Sequence, residues 1–437
     1  MSDDEDPFAS LLGKRYHDES LRPPPESGNG EAEEDSWDRR EALVDNDAYM
    51  IDRRNHTTAR CPVTRRGRGG GKKDTMQVTF CLAPPPHVSY FCMSYGSGDP
   101  IRFCSEPRIF GAEGDLAVIG LVHYWTLQYA PRCVYFVYRA PFIGHGLAEL
   151  RPLPHPPSEV FPEQHESDCH LGHNEVGILC YRSRSGSEQL ALPLTSGDDY
   201  DAYKIATLCR YGTNQYVLYT YDSMADAWTR TPAAFPRAAP LRTAAGANAA
   251  GQRPPSLWHV LHVVLLPGHR CCQWPDKFVD LQVHASPGSR TPNGWTAVTW
   301  SMAPGDSGFT KDGELNSRDM VNPMEPSVFV AHPTLSSCDD DVLYLTTMTS
   351  LDDSMSQVIA VNMKEKTVER TAKYTTQRDA SMAFAYTRTT ISKFLARGQQ
   401  KATRSVLHES FRKKLPAINP SEDLPTMGDE GDPIELE

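Results

Sequence analysis

The sequence predicts an all-β chain built from a repeated unit of sheet, the arrangement of a β-propeller. Three observations predict it. The first is the stretch 216–229. Tyr216-Val217-Leu218-Tyr219-Thr220-Tyr221 is a run of β-branched and aromatic residues, the composition of a strand that is buried at least on one face. Asp222-Ser223-Met224-Ala225-Asp226 is short and polar, as a tight turn requires. Trp228 then opens the returning strand. The second observation is that the pattern recurs at 357–370. Asn362 falls on Asp222 and Val368 on Trp228 with no gap. Each copy follows a further strand, at 204–210 and 341–346, and a looser third copy spans 115–122, 132–139 and 147–153. The third is that short strands succeed one another without intervening helical patterns, which places the chain in the all-β class. A sheet that cannot bury its own face and is repeated along the chain stacks on its neighbours. About six or seven blades are expected, one of them incomplete, within the usual range of the fold.

Composition assigns the acidity to the ends. The 437 residues carry a formal charge of -12. Residues 1–40 hold -7 of it and residues 421–437 another -7, so the intervening body is near neutral at +2. A neutral body does not steer nucleic acid with a general field. The start, Met-Ser-Asp-Asp-Glu-Asp, lacks the apolar core of a secretory leader. A cytoplasmic or nuclear, non-secreted chain is therefore expected, with its 11 cysteines as free, mostly buried thiols. No apolar run reaches the ~20 residues of a membrane helix.

In chain order, residues 1–36 are acidic and rich in Pro, Ser and Gly, and are expected to be disordered. A propeller-like domain is expected over 37–398. Near its start lies the most basic stretch, Thr-Arg-Arg-Gly-Arg-Gly-Gly-Gly-Lys-Lys at 64–73. Arg65, Arg66, Arg68, Lys72 and Lys73 spaced by glycines give a flexible cationic loop able to follow phosphates. The plainer reading is the loop of a long hairpin that joins a strand before Cys61 to the strand at 76–82. Strands are expected at 76–82, 88–93, 107–110, 115–122 and 133–138, then at 176–181, 189–193, 204–210 and 216–221. The segment 152–173 gathers His165, Cys169, His170 and His173, whose spacing matches no closed zinc module; a surface loop is expected there. Residues 232–255 read as a Pro/Ala-rich linker. Strands resume at 257–266, 278–284 and 295–302.

Gly305-Asp306-Ser307-Gly308 spells the surroundings of a serine-protease nucleophile, but no His base or buried Asp accompanies it, and it reads as a turn. Asp339-Asp340-Asp341 lacks the alternating oxygens of a calcium loop and reads as a turn before the strand 342–346. Residues 390–414 have a helical pattern, with Ile391, Phe394 and Leu395 on the apolar side. The expected helix is 399–415, followed by an acidic disordered tail to 437.

Several segments together resemble a plant family, expanded in grasses, known as domain of unknown function sixteen-eighteen. They include Ile51-Asp52-Arg53-Arg54-Asn55 with Thr57-Thr58-Ala59, Val78-Thr79-Phe80-Cys81-Leu82-Ala83, Val88-Ser89-Tyr90-Phe91-Cys92, and Tyr135-Phe136-Val137-Tyr138-Arg139-Ala140. Further along come Lys277-Phe278-Val279-Asp280-Leu281, Gly294-Trp295-Thr296-Ala297-Val298-Thr299-Trp300-Ser301-Met302, His332-Pro333-Thr334-Leu335-Ser336, Ile359-Ala360-Val361-Asn362-Met363 and Ile391-Ser392-Lys393-Phe394-Leu395. The family looks like a relative of kelch and F-box-associated propellers. The resemblance implies no activity, no cofactor and no catalytic residues. The region 232–267 departs from it and looks eroded.

The function expected is therefore a non-enzymatic, monomeric interaction module that presents its loops to a protein partner, away from membranes. Two other readings stand beside it. One is a nucleic-acid-associated protein using the basic loop 65–73. The other is a substrate-recognition component of a ubiquitin ligase. An enzyme is not expected, because the sequence offers no paired carboxylates, metal set or nucleophile with its base.

Overall fold

In the computed structural model the described residues are 40–65, 72–95, 107–123, 132–141, 147–154, 176–181, 202–212, 215–233, 258–260, 276–286, 288–289, 291–302, 308–350, 355–375, 386–395 and 434–436. They form an all-β structure of five separate sheets.

The first sheet begins with β1 (Ala42–Asp45), β2 (Ala59–Arg65), β3 (Lys72–Cys81) and β4 (Val88–Tyr95). Four further sheets follow as antiparallel meanders of four strands, each strand beside the next in sequence. The second holds β5 (Arg108–Glu113), β6 (Leu116–His123), β7 (Arg132–Arg139) and β8 (Glu149–Leu153). The third holds β9 (Val176–Tyr181), β10 (Ala202–Gly212), β11 (Gln215–Asp222) and β12 (Ala227–Ala233). The fourth holds β13 (Trp258–Val260), β14 (Asp276–Ala285), β15 (Pro292–Met302) and β16 (Thr310–Asn316). The fifth holds β17 (Phe329–Leu335), β18 (Val342–Met348), β19 (Met355–Asn362) and β20 (Thr367–Thr375). The chain then returns to the first sheet. Strand β21 (Tyr386–Thr389) pairs antiparallel with β1, and β22 (Ile434–Leu436) pairs in parallel with β2.

The repeat seen in the sequence is a repeat of register. In the third sheet Tyr221 lies opposite Trp228 and Asp222 opposite Ala227. In the fifth, Val361 lies opposite Val368 and Asn362 opposite Thr367. The match extends to the start of the second strand in three of the sheets. There a carbonyl accepts from the amide just after the third strand: Asp115, just before β6, from Ala140 at 2.7 Å, Tyr203, the second residue of β10, from Ser223 at 3.0 Å, and Asp341, just before β18, from Met363 at 2.8 Å. Asp339-Asp340-Asp341 is the turn expected: the Asp339 side chain accepts from the Asp341 amide at 3.0 Å.

Packing explains the unbroken apolar strands. Side chains of a strand alternate between its faces, and in β6 both faces are covered. Ala117, Ile119 and Leu121 join the core shared with the first sheet, while Leu116 and Val118 join the core shared with the third. In β18, Leu343 and Leu345 face the fourth sheet's core, whereas Val342 and Tyr344 pack with Leu43 of β1. Burial of each of Phe80, Phe91 and Phe136, all essentially inaccessible, contributes about 2 kcal/mol. Trp228 and Tyr221 are core residues, with ring centroids 5.6 Å apart.

Several expectations are changed. Five sheets are found among the described residues, with β1–β4, β21 and β22 together in the first. The region 232–267 does not cost the fourth sheet a strand. Trp258–Val260 supplies β13, shortened to three residues. The helical pattern at 390–414 starts as a single turn at 392–395, with Ile391, Phe394 and Leu395 buried in the core shared by the first two sheets. The rest of that pattern, the helix 399–415, both expected disordered segments (apart from β22) and the strand at 189–193 lie outside the described residues. So do most of the Gly305–Gly308 turn and all of His165, Cys169, His170 and His173. No helix among the described residues is long and apolar enough to cross a membrane.

Candidate functional site

Two features of the first sheet carry chemistry, one at each end of β3. At its start lies the basic hairpin. Arg65 ends β2 directly opposite Lys72, and Thr64 lies opposite Lys73. The strands thus run into the basic stretch itself, further than expected. Arg66 and Arg68 are outside the described residues. The other edge of β2 is taken by β22, with Val63 beside Ile434, Thr64 beside Glu435 and Arg65 beside Leu436. An acidic segment of the chain is thereby brought alongside its most basic one.

At the far end of β3 the segment 51–58 straps across the sheet. Asn55 Nδ2 donates to Phe80 O at 2.9 Å, and the Phe80 amide donates to Thr57 Oγ1 at 2.8 Å. The backbone ladder is thus carried one step past the end of β2. Gln77 Nε2 donates to Asp52 Oδ1 at 2.8 Å, and Thr79 Oγ1 donates to Arg53 O at 2.7 Å. The fully buried Tyr138 of the second sheet donates its hydroxyl to Thr57 O at 2.7 Å, and burial pushes that hydroxyl's pKa up. Asp52 and Arg54 form an exposed two-point ion pair, closest at 2.9 Å. Such a pair adds little stability in water.

The strap delivers Arg53 onto a pair of thiols. Cys81 lies opposite Tyr90, and Cys92 lies opposite Thr79, so Cys81, Tyr90 and Cys92 share one face of the sheet. Arg53 Nη1 donates to the Tyr90 hydroxyl and sits 4.0 Å from Cys81 Sγ. Its guanidinium carbon lies 5.6 Å from the Tyr90 ring centre, a cation–π distance. Tyr49 closes the side of the cluster, its ring edge-on to Tyr90 at 5.2 Å. Cys92 is buried and Cys81 half-buried.

The electrostatics single out Cys81. The Cys92 hydrogen bond to its sulfur lowers the thiol pKa most. Burial acts the other way, and hydrogen bonds from Arg53 and Tyr90 lower it further, to about 6. Burial and the neighbouring Cys81 charge raise Tyr90. Elsewhere burial alone drives Cys61 up to about 11, and it raises Cys338 as well. Electropositive, partly open surroundings make a reactive thiol, and apolar burial makes an inert one.

Sequence reasoning treated the cysteines as equivalent buried thiols and missed this cluster. Cys81 ends a strand of alternating pattern, Cys92 lies in an unbroken apolar run, and the Asp-Arg-Arg-Asn run lies upstream. Only the register of β3 on β4 brings them together. Among the described residues no group of His, Cys, Asp and Glu is placed to hold a metal ion. No protein-family model matches the chain, and no curated protein matches it.

Proposed function

We propose that the five sheets are blades of a β-propeller and that the chain is a non-enzymatic interaction module. In this reading the edge of β2 is the contact strand for an extended acidic peptide. Support for the blade arrangement comes from the succession of four-stranded meanders. Cores are shared between the first and second sheets, the second and third, the fourth and fifth, and the fifth and first. The pairing of β21 with β1 joins the two ends of this succession.

The observation that carries the contact is β22. An edge strand offers a row of backbone donors and acceptors to any extended segment, and β2 accepts one from this chain's own acidic tail. Arg65, Arg66, Arg68, Lys72 and Lys73, the basic residues of the stretch that β2 runs into, favour an acidic occupant. A protein partner with a similar acidic, strand-forming segment would compete with the tail. The role is compatible with substrate recognition for a ubiquitin ligase, where such a segment would be the degradation signal.

The test is a titration of a labelled peptide of residues 421–437 into the chain shortened to residue 420, followed by fluorescence anisotropy at low and moderate salt. Saturable binding that weakens with salt, and that is lost when the five basic residues are changed to Ala, is expected. A single-stranded RNA oligomer is titrated alongside. RNA binding without peptide binding would replace this reading with the nucleic-acid one.

A further inference from the structure

We propose that Cys81 is a hydroperoxide-reactive thiol and Cys92 its resolving partner, so that the first sheet carries a reversible redox site. This goes beyond the interaction reading and does not rest on it. The geometry supplies the parts that such chemistry needs. Cys81 is half-buried, so a small oxidant reaches it. Arg53 holds a guanidinium 4.0 Å from its sulfur and is itself steadied by Tyr90. Cys92 shares its face of the sheet and hydrogen-bonds its sulfur. The thiolate, not the thiol, is the nucleophile; the surroundings of Cys81 favour it, whereas those of Cys61 and Cys338 oppose it.

The chemistry balances with hydrogen peroxide as the oxidant. The Cys81 thiolate attacks one peroxide oxygen, the O–O bond breaks, and hydroxide leaves and takes up a proton as water. Cys81 is then a sulfenic acid. The Cys92 sulfur attacks the Cys81 sulfur, the S–OH bond breaks, and the hydroxyl leaves as water with the Cys92 proton. Two thiols and one peroxide give one disulfide and two waters. Each sulfur is oxidised by one electron, and the peroxide oxygens are reduced. A dithiol reductant reverses the step by exchange. The groups facing the pair are Arg53 from the strap and Tyr90 from β4, with Tyr49 packed against Tyr90 and Cys92.

The experiment uses the full chain. It is treated with hydrogen peroxide at neutral pH, quenched, and mapped by mass spectrometry without reduction. A linked peptide pair holding Cys81 and Cys92, two hydrogens lighter than the reduced pair, is expected. In Cys92→Ser the Cys81 sulfenic acid is expected to persist and to be trapped by dimedone, and in Cys81→Ser neither product forms.

A second readout does not depend on the disulfide. Iodoacetamide labelling of Cys81 should rise with a midpoint near 6, while Cys338 labels only at higher pH. Arg53→Met, or Tyr90→Phe if that variant unfolds, should slow Cys81 labelling at neutral pH by several-fold. Cys81 labelling no faster than Cys338, or peroxide oxidation that bypasses Cys81, would overturn the proposal.

Discussion

Asp226 and Lys366 occupy the same place in two different sheets. Each is the last residue of the turn leading from a sheet's third strand to its fourth, and each holds left-handed backbone, φ 48 and φ 57. Their turns start alike. Asp222 Oδ1 accepts from the Met224 amide at 3.0 Å, and Asn362 Oδ1 accepts from the Lys364 amide at 3.1 Å. The side chains differ in what they do. Asp226 accepts a hydrogen bond from the Tyr221 hydroxyl at 2.7 Å. Lys366 accepts through its carbonyl, from the Val321 amide at 3.0 Å.

The same substitution should therefore stabilise at one site and not at the other. Lys366→Gly relieves a backbone conformation that costs an L-residue about 1 kcal/mol or more, partly offset by the freer unfolded chain. It should stabilise by up to about 1 kcal/mol. Asp226→Gly gains the same relief but strips a half-buried hydroxyl of its acceptor, and should be neutral or destabilising by about 1 kcal/mol. Urea unfolding of the two variants beside the parent would decide. Equal effects would mean that the Tyr221 bond contributes nothing.

This pair shows why so much of the fold was legible. The alignment of Asn362 on Asp222 came from a turn whose five residues must solve one steric problem in two sheets, and tight turns restrict residue type strongly. The strands that escaped notice lack such restriction. Strand β16 is an edge strand with mostly exposed side chains, Thr-Lys-Asp-Gly-Glu-Leu-Asn, and it shows no alternation. Strand β17 contains Pro333 inside a bulge between Ala331 and Thr334, beside His332 at φ 53. Strand β21 has four residues, and its partner β1 lies at the other end of the chain. The cluster at Cys81 was illegible for a related reason. Its members come from a strap and two strands, and cross-strand register is not written in any local stretch.

Glu41 ties the start of the chain to the fifth sheet. Its buried carboxylate accepts from Ser336 Oγ at 2.6 Å, the Ser337 amide at 2.7 Å, Ser337 Oγ at 2.9 Å and the Tyr344 hydroxyl at 2.9 Å. Burial lowers the pKa of Arg388 on β21, while the nearby Glu41 charge raises it. Removing the carboxylate leaves buried donors unmatched and takes a counter-charge from Arg388. Glu41→Gln should cost about 3 kcal/mol, whereas Tyr344→Phe, which loses one donor, should cost about 1 kcal/mol. Denaturant midpoints measure both. A Glu41→Gln variant as stable as Tyr344→Phe would show that the remaining donors find other partners.

Gly111 marks the approach of the second sheet to the third. A Cβ there would lie 2.6 Å from the Val176 carbonyl oxygen, a backbone atom that cannot swing aside. Gly114, by contrast, has φ 59 and open space around its Cα. Alanine at Gly111 must push β5 from β9 and should destabilise by about 2–3 kcal/mol. Alanine at Gly114 meets only the left-handed backbone penalty of about 1 kcal/mol. Thermal unfolding of the two variants should rank them in that order. The reverse order would place the sheets further apart in solution.

Two thiols give the stability a pH dependence of opposite sign in adjacent windows. Cys81 is depressed from 9.0 to about 6 in the folded chain. Between these values the unfolded chain holds a proton that the folded one has lost, so stability rises with pH. Its contribution is complete above 9.0 and disappears as pH falls through about 6. Cys61 is raised from 9.0 to about 11 by burial. There the folded chain holds the extra proton, so its contribution is complete below 9.0 and is lost as pH rises through about 11. Stability differences between parent and Cys81→Ser should therefore change from pH 6 to 9 and level off above. Those between parent and Cys61→Ala should be flat below pH 9 and change above it. Chemical denaturation in a reducing buffer, which keeps both thiols free, measures the two profiles. A Cys81→Ser difference that is flat from pH 6 to 9 would mean that Arg53 and Cys92 do not hold a thiolate in the folded chain.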